Sequence, residues 1–324
     1  MHGLSLGYRL ATTLRNMAYD HGLLKIHAVD VPVISIGNLT TGGTGKTPVV
    51  ATVVHLLREL GHRPGIVSRG YRSDDSGEND EKRVLKLLCP GVPHEQNPDR
   101  VAACRTLIQH HDVTAIVLDD AFQHRRIHRN VNLALIDATN PFGYGYHLPR
   151  GLLRESIGGL GRADLVLITR TDQVPASVVR DICDIIRMHC PRQEQKIFRI
   201  CFRPTSLLDS TGQLHDLTTI HNQPVFVMTA IGNPSAFHDT CENLGARIVG
   251  TAFFPDHHHF TAADLQSIHQ QAQSAGTHTI LITTKDLVKL PPQSLGFLAV
   301  QVETVFEATA DRSILQEKIA ARLP

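Results

Sequence analysis

The residues best suited to chemistry lie in IGNLTTGGTGKTPVV, from Ile36 to Val50. The stretch contains Gly-Lys-Thr, with which many loops bind nucleotide phosphates: Lys46 would reach the β and γ phosphates, and the Thr47 hydroxyl would ligate magnesium. The usual pattern also needs a glycine at position 40, where this chain has Thr40. The stretch is therefore either a nucleotide site without its first glycine or a glycine-rich turn before an ordinary helix.

The flanking sequence favours the nucleotide site. The apolar run VPVISIG predicts a strand before the loop, and PVVATVVHLLRELG predicts a helix after it. At such a junction the free backbone N–H groups and the helix dipole both attract anions. Gly42, Gly43 and Gly45 are expected to let the backbone curl around the phosphates. The predicted nucleotide-binding residues are Thr40, Thr41, Gly42, Gly43, Thr44, Gly45, Lys46 and Thr47.

A pair of acidic residues supports this prediction. TAIVLDDAF is an apolar strand that ends in Asp119 and Asp120. In P-loop proteins an acid at this point holds or orients magnesium. Two acids after a strand also occur in solvated loops, but together with Lys46 and Thr47 they favour a magnesium site at Thr47, Asp119 and Asp120.

Three further clusters carry charged or titratable groups. FPDHHHFT places Asp256 beside His257, His258 and His259. Consecutive histidines point in different directions, so zinc is disfavoured. One neutral histidine could instead act with a carboxylate in proton transfer, or the stretch could be a surface loop.

The two arginine clusters have open interpretations. Arg125, Arg126 and Arg129 follow the acid pair, where they either neutralise phosphate or belong to a solvated loop. LPRGLLRES places Arg150 and Arg154 beside Glu155, a grip suited to an anionic substrate.

Composition excludes several classes of protein. The 324 residues contain 32 Lys and Arg against 31 Asp and Glu, so the charge gives no indication of nucleic-acid binding. Six cysteines without Cys-x-x-Cys pairing predict reduced, mostly buried thiols in a cytoplasmic protein. No apolar run approaches the roughly 18 residues of a membrane-spanning helix, and the N-terminus does not resemble a signal peptide.

The order of predicted elements indicates an α/β fold. Continuous apolar strands alternate with helices, which is typical of a mostly parallel sheet covered by helices on both faces. We predict a P-loop domain over 1–204, a smaller α/β lobe over 205–306, and a C-terminal helix over 307–324 that returns to the first domain. The polar stretch DDSGENDEKR is expected to be a loop-like insertion.

An amphipathic helix precedes the glycine loop. Leu6, Leu10, Leu14 and Met17 are three or four residues apart, so they share one face of a helix that closes near Gly22. This face either packs on the domain or lies in a bilayer interface.

Six ordered motifs together resemble the tetraacyldisaccharide 4'-kinases of lipid A biosynthesis. The glycine loop, which in that family also lacks its first glycine, is followed by SRGY, LDDAFQHRR, LPRGLLRE, FPDHHHFT and TTKDLVKL. The resemblance extends from the N-terminal helix to Leu290.

The resemblance implies a P-loop domain and a smaller lobe, with the active site between them. It implies transfer of the γ-phosphoryl group of ATP, with magnesium, to the 4'-hydroxyl of a tetraacylated disaccharide 1-phosphate. It also implies a cytoplasmic enzyme that is peripheral on the inner membrane, which favours the interfacial interpretation of the N-terminal helix.

The family also suggests roles for individual residues. Lys46, Asp80 and His257 are expected to be catalytic, with Asp80 and His257 taking the proton of the sugar hydroxyl. Where the family usually has Gly-Asp-Glu-Pro, this chain has Asn-Asp-Glu-Lys at 79–82, so Glu78 is a rival for the catalytic acid. Contacts with the lipid headgroup or nucleotide are expected from Tyr71, Arg100, Arg154 and Glu155.

The alternative function is a P-loop GTPase or ATPase switch that binds partner proteins. Such a protein would not need the Asp-His motif, and TRTD at 169–172 is the nearest approach to a guanine-binding signature.

Overall fold

The computed structural model describes residues 2–70, 78–190, 196–292 and 294–323. The chain divides into two compact units, one formed by residues 1–202 and 304–324 and the other by residues 203–303. The chain leaves the first unit within one long strand and returns to it within another.

The first unit is built around a parallel sheet. Its strands are β1 (Val33–Asn38), β2 (Pro64–Ser68), β3 (His94–Gln96), β4 (Ala115–Leu118), β5 (Val131–Asp137), β6 (Leu165–Thr169) and the start of β7 (Lys196–Asp209). Their order across the sheet is β7-β6-β5-β1-β4-β2-β3, and all neighbouring pairs are parallel. The helices are α1 (His2–Asp20), α2 (Lys46–Glu59), α3 (Asp80–Leu88), α4 (Arg100–His110), α5 (Ala176–His189) and α9 (Asp311–Ala320).

Apolar side chains cover both faces of this sheet. Leu133 and Leu135 pack with α2 and α9 in one core cluster, whereas Ala134 and Ile136 of the same strand pack with α5 in another. Because alternate residues of a strand face opposite sides, both faces must be apolar to be covered, and this explains the continuous apolar strands. The predicted P-loop-like parallel fold is confirmed.

The second unit also contains parallel strands and helices. Its elements are β8 (Leu214–His215), β9 (Pro224–Thr229), α6 (Pro234–Asn243), β10 (Arg247–Phe253), α7 (Ala262–Ser274), β11 (Ile280–Thr283), α8 (Thr284–Leu287) and β12 (Phe297–Phe306). The strands β10, β9, β11 and β12 are parallel in that order, and β8 pairs antiparallel with β7.

Helix α3 begins within a stretch for which the sequence predicted a loop. Residues 74–77 of the stretch expected to be a loop-like insertion lie outside the described residues, but its last four residues begin α3, so the expectation was wrong there. Asn79 caps this helix by accepting a hydrogen bond from the Lys82 N–H. Asp80 and Glu81 occupy its first turn, where acidic groups interact favourably with the helix dipole.

The six cysteines are all free, and five are buried, as expected.

Helix α1 presents its apolar stripe to the outside. Leu10 is 60% exposed and Leu14 is 56% exposed, whereas Ser5 and Thr12 on another face are buried. The Ser5 hydroxyl donates to the carbonyl of His147 at 2.8 Å, which fixes this polar face to the first unit. Within the residues that the structure describes, none of the helices has the length and apolar character needed to cross a bilayer.

Candidate active site

The glycine loop lies between β1 and α2, and two of its glycines have left-handed backbone angles. The φ of Gly42 is 117° and that of Gly45 is 79°. A Cβ on Gly45 would also lie 2.3 Å from the Phe202 ring. Both the backbone angle and this close contact therefore favour glycine at position 45. The φ of Gly43 is not left-handed, and a Cβ there would meet open space. The left-handed turns of the loop therefore lie at Gly42 and Gly45, and a close approach of Gly43 to the phosphates stays a prediction.

The first part of the loop is held by strand-like pairing, which explains Thr40. Thr40 forms an antiparallel bridge with Leu153, and the Thr41 N–H donates to the Leu152 carbonyl at 2.8 Å. Asn38 donates from its amide to the Thr40 carbonyl at 2.7 Å. The φ of Thr40 is outside the left-handed region, so glycine is not needed at position 40.

The same pairing brings Arg154 to the acid pair. The Arg154 N–H donates to the Leu39 carbonyl at 2.8 Å, and its guanidinium donates to both oxygens of Asp120 at 2.8 and 2.9 Å. Lys46 lies 3.7 Å from Asp120 and donates to the Asn38 amide oxygen at 3.3 Å. Burial alone would raise the pKa of Asp120, but Lys46 and Arg154 outweigh it, so that the pKa is lowered.

Asp119 lies in a different environment although it is the preceding residue. It is 5% exposed, and its Oδ1 atom has no hydrogen-bond partner in the described parts of the chain. Burial, followed by the negative charge of Asp120, raises the pKa of Asp119 to about 6. An orphaned buried carboxylate oxygen costs free energy unless a cation or donor satisfies it.

Glu155, which was expected to contact the substrate or the nucleotide, is buried and accepts hydrogen bonds from three side chains. Its side chain accepts from Asn16 at 3.0 Å, Gln123 at 2.9 Å and Arg162 at 2.6 Å. The residue has no exposed surface. Glu155 therefore links Asn16 of α1 to Arg162 and orients Gln123. Gln123 also donates to the Asn38 carbonyl at 2.8 Å.

Arg100 begins α4 and is almost fully buried. Its Nε atom is buried without a hydrogen-bond partner within the described ranges. Burial and nearby Arg69 lower its pKa, against the opposing effect of Asp120 and Asp119. An unsatisfied guanidinium nitrogen close to the acid pair suits an anionic ligand. Tyr71, the other residue predicted for substrate binding, lies outside the described residues.

The three arginines that follow the acid pair all contact other parts of the first unit. Arg126 is exposed in a turn, which agrees with the solvated-loop interpretation for this residue, and phosphate neutralisation stays a prediction. Arg129 is partly buried and donates to oxygens of Ser35, Asn132 and the turn after β4. Arg125 pairs with Asp20 of α1 at 2.6 Å, and Arg126 pairs with Asp99 at 3.0 Å.

Asp80 and Glu78, the two candidates for the catalytic acid, have different surroundings. Asp80 is buried at the start of α3. Glu78 instead pairs with Lys82 and Lys86 on the outside of that helix, and the Lys86 hydrogen bond lowers its pKa despite partial burial.

In the second unit, the three histidines have different neighbours. His257 lies 3.3 Å from Lys285 and 3.8 Å from Asp256. His258 stacks on Phe254 and lies 3.1 Å from Asp264, and His259 is exposed. The three histidines therefore contact different groups.

The whole chain also matches known proteins. Residues 1–320 match the family model described as Tetraacyldisaccharide-1-P 4'-kinase. The chain belongs to this family.

Individual relatives extend over most of the chain. A curated protein of Syntrophus aciditrophicus (strain SB), named tetraacyldisaccharide 4'-kinase, is 35% identical over 315 residues, covering 89% of this chain and 83% of the relative. One of Anaeromyxobacter dehalogenans (strain 2CP-C) with the same name is 36% identical over 304 residues, covering 88% of this chain and 79% of the relative. The crystal structure of LpxK from Aquifex aeolicus in complex with ATP is 25% identical, with a TM-score of 0.80, covering 99% of this chain and 98% of that one.

In this member of the kinase family, two residues at the end of β6 hold the glycine loop through hydrogen bonds. We call this contact the brace, and the sequence motifs did not predict it. The Thr169 hydroxyl donates to the Thr44 carbonyl at 3.1 Å. The Arg170 guanidinium donates to the Gly43 carbonyl at 2.7 Å and pairs with Asp137. The brace therefore fixes two carbonyls of the loop, and in a phosphate loop the ligand is bound by backbone N–H groups.

The oxygen-bearing residues of this kinase family member fit a magnesium ion. Thr47, Asp119 and Asp120 offer hydroxyl and carboxylate oxygens, which magnesium prefers. Of the two acids, Asp119 has the unsatisfied oxygen, whereas Asp120 is engaged by Lys46 and Arg154. Asp119 is therefore the better direct ligand.

Proposed function

We propose that this protein transfers the γ-phosphoryl group of ATP to the 4'-hydroxyl of a tetraacylated glucosamine disaccharide 1-phosphate. Family membership over residues 1–320 supports this reaction. The observation that carries it is the cluster of Lys46, Asp119, Asp120 and Arg154, because these residues lie where the carboxyl ends of β1 and β4 are adjacent. In P-loop enzymes, cations and acids beside the phosphate loop stabilise the charge of the transferring phosphoryl group.

In this mechanism the loop binds and orients ATP. Backbone N–H groups of the loop and the Lys46 ammonium neutralise the β and γ phosphates. When bound, magnesium would supply further charge neutralisation, held by Thr47 and Asp119 with Asp120 beside it. Arg154 fixes the Asp120 carboxylate, and Glu155 acts indirectly through Gln123.

The proton of the acceptor hydroxyl must leave as the new bond forms. The sugar oxygen bonds to the γ phosphorus, the bond from that phosphorus to the bridging oxygen breaks, and ADP departs with its electron pair. Asp80 takes the hydroxyl proton, and His257 is the second proton-handling residue. Arg100, with its unsatisfied Nε, is the candidate for binding an anionic group of either substrate.

The acyl chains of the acceptor require access to lipid. The exposed leucine face of α1 supports peripheral binding to the cytoplasmic face of a membrane, with the polar face fixed to the first unit.

The proposed function is tested with ATP labelled on the γ phosphate. Incubation with the acylated disaccharide 1-phosphate should label the lipid, and Lys46→Met should abolish the labelling. Release of labelled inorganic phosphate at the same rate with and without lipid would instead indicate a nucleotide hydrolase and would contradict the proposal.

A further inference from the structure

Asn38, the last residue of β1, contacts both the start of the glycine loop and the lysine at its end. The side chain is fully buried. Its amide nitrogen donates to the Thr40 carbonyl at 2.7 Å, and its amide oxygen accepts from the Lys46 ammonium at 3.3 Å. A single carboxamide therefore links two parts of the predicted phosphate site.

Both contacts require the same orientation of the carboxamide. The Thr40 carbonyl can only accept a hydrogen bond, and a lysine ammonium can only donate one. The amide nitrogen must therefore face Thr40, and the amide oxygen must face Lys46. An aspartate at position 38 would place a second acceptor against the Thr40 carbonyl, and a leucine of similar size would leave both groups without this partner.

The backbone around Asn38 is also held in place. Its carbonyl accepts from the Gln123 side chain at 2.8 Å, and the carbonyl of the next residue, Leu39, accepts from the Arg154 N–H at 2.8 Å. The segments that carry Gln123 and Arg154 therefore fix the end of β1. Because the residue is both buried and bonded through its backbone, its amide oxygen is a fixed acceptor for Lys46.

Asp120 is the other acceptor near Lys46, but it is not in hydrogen-bonding contact with it. The Lys46 Nζ lies 3.7 Å from the nearer carboxylate oxygen, which is longer than a hydrogen bond. Among the residues that the structure describes, Asn38 accepts the one hydrogen bond of the Lys46 side chain. A neutral acceptor leaves the charge of the ammonium available to phosphates, whereas direct contact with Asp120 would offset much of it.

We propose that Asn38 is a positioning residue that holds the Lys46 ammonium out of direct contact with Asp120, in place for the phosphates of ATP. Without Asn38, the Lys46 side chain would move towards the carboxylate. The inference rests on the proposed function only in that Lys46 contacts the phosphates of the nucleotide, and it does not depend on the acceptor of the phosphoryl group.

A double-mutant cycle tests this role through ATP binding. Isothermal titration with ATP and magnesium gives the dissociation constant for the full-length protein, Asn38→Leu, Lys46→Met and the double variant. Asn38→Leu should raise the dissociation constant roughly tenfold, as expected for the loss of a hydrogen bond to a charged group. In the Lys46→Met background the same change should alter it by less than about twofold. Equal weakening in both backgrounds would overturn the proposal, because Asn38 would then act through the loop alone.

Two further variants separate this role from a general loss of packing. Asn38→Ser is measured in the same cycle, because a shorter side chain also loses the contact with Lys46 but does not place a branched apolar group in the site. Asn132→Leu is the matched control. Asn132 is also buried, its amide donates to the Arg162 carbonyl at 2.9 Å, and it lies opposite Ser35 on β5, away from the end of β1. This control should lower the melting temperature and leave ATP binding unchanged. If it weakens ATP binding as much as Asn38→Leu does, the proposal is wrong.

The cycle also distinguishes this inference from the proposed function. A protein that binds ATP but does not phosphorylate the lipid would contradict the proposed function, and the cycle would still decide the role of Asn38. If Lys46→Met binds ATP as tightly as the unchanged protein, Lys46 does not contact the phosphates, and the role of Asn38 fails with it.

Discussion

Asp119 and Asp120 are adjacent in the chain, but their carboxylates lie in opposite electrostatic environments. Asp119 is buried with an unsatisfied oxygen, and burial raises its pKa to about 6. Asp120 pairs with Lys46 and Arg154, and its pKa is lowered. A pair of acids whose surroundings push their pKa values apart commonly has two roles. We therefore expect Asp119 to respond to a cation and Asp120 to organise the surrounding positive groups.

This difference predicts an unusual effect of Asp119→Asn on stability. The pKa of Asp119 is higher in the folded state than in the unfolded state. The unfolded chain therefore loses this proton first, and the free energy of unfolding falls as the pH rises from about 4 to 6. Because the pKa is higher by about two, the ionised carboxylate lowers the free energy of unfolding by about 3 kcal/mol at neutral pH. Asp119→Asn should therefore melt at a higher temperature than the unchanged protein at pH 7.5 in EDTA.

The same variant should lose its response to magnesium. Adding magnesium and ATP should raise the melting temperature of the unchanged protein more than that of Asp119→Asn. The exposed Asp184→Asn on α5 is the matched control and should behave like the unchanged protein. An Asp119→Asn protein that is less stable in EDTA and responds fully to magnesium and ATP would show that this carboxylate is not the ligand.

Asp80→Ala should lose turnover while retaining ATP binding. General-base catalysis contributes roughly 100- to 10,000-fold, so a loss of kcat in that range is expected with little change in the dissociation constant for ATP. Isothermal titration and steady-state kinetics measure the two quantities. Glu78→Ala is the control, because Glu78 pairs with Lys82 and Lys86. If Glu78→Ala shows the loss and Asp80→Ala does not, the assignment of the catalytic acid is reversed.

Arg170→Ala should weaken ATP binding by loosening the glycine loop. The arginine donates to the Gly43 carbonyl and pairs with Asp137, and charge-assisted hydrogen bonds contribute about 1.5 to 3 kcal/mol. We expect the Michaelis constant for ATP to rise at least roughly tenfold, since about 1.4 kcal/mol corresponds to that factor. Arg180→Ala, an exposed change on α5, should leave it unaltered. An unchanged Michaelis constant in Arg170→Ala would rule out the brace.

Leu10→Glu with Leu14→Glu should release the protein from membranes without unfolding it. Both side chains are more than half exposed, so the loss of buried apolar area is small, whereas insertion into a bilayer interface is disfavoured by charge. Flotation with phospholipid vesicles and thermal melting test the two parts. Met188→Glu, which replaces another exposed apolar residue on α5, should still bind. Continued flotation of the double variant would show that α1 is not the membrane contact.

The sequence predicted features that depend on strand ends. Lys46, Asp119 and Asp120 were predictable because the phosphate loop and the acids follow apolar strands, and the carboxyl ends of parallel strands share an edge. The parallel sheet was predictable because its strands are apolar on both faces. The start of α3 was missed because its first residues are charged, although Asn79 before Asp80 and Glu81 is a helix-start signal.

Contacts between distant segments could not be predicted in the same way. The burial of Glu155 depends on Asn16 and Arg162, and the brace at Arg170 depends on Asp137 and the loop. An isolated charged residue in a sequence is usually exposed, so its burial follows only from partners that the fold brings to it. The same reason explains why Arg129 resembled a phosphate ligand before its five acceptors were known.

The position of the transferred phosphate tests the central claim most directly. The lipid product formed from ATP and the acylated disaccharide 1-phosphate can be purified and characterised by ³¹P and ¹H NMR. We predict two phosphomonoester signals, with the new phosphorus coupled to the proton on the 4' carbon. Production of ADP without a second phosphate on the lipid, or a new phosphate on another hydroxyl, would contradict the account.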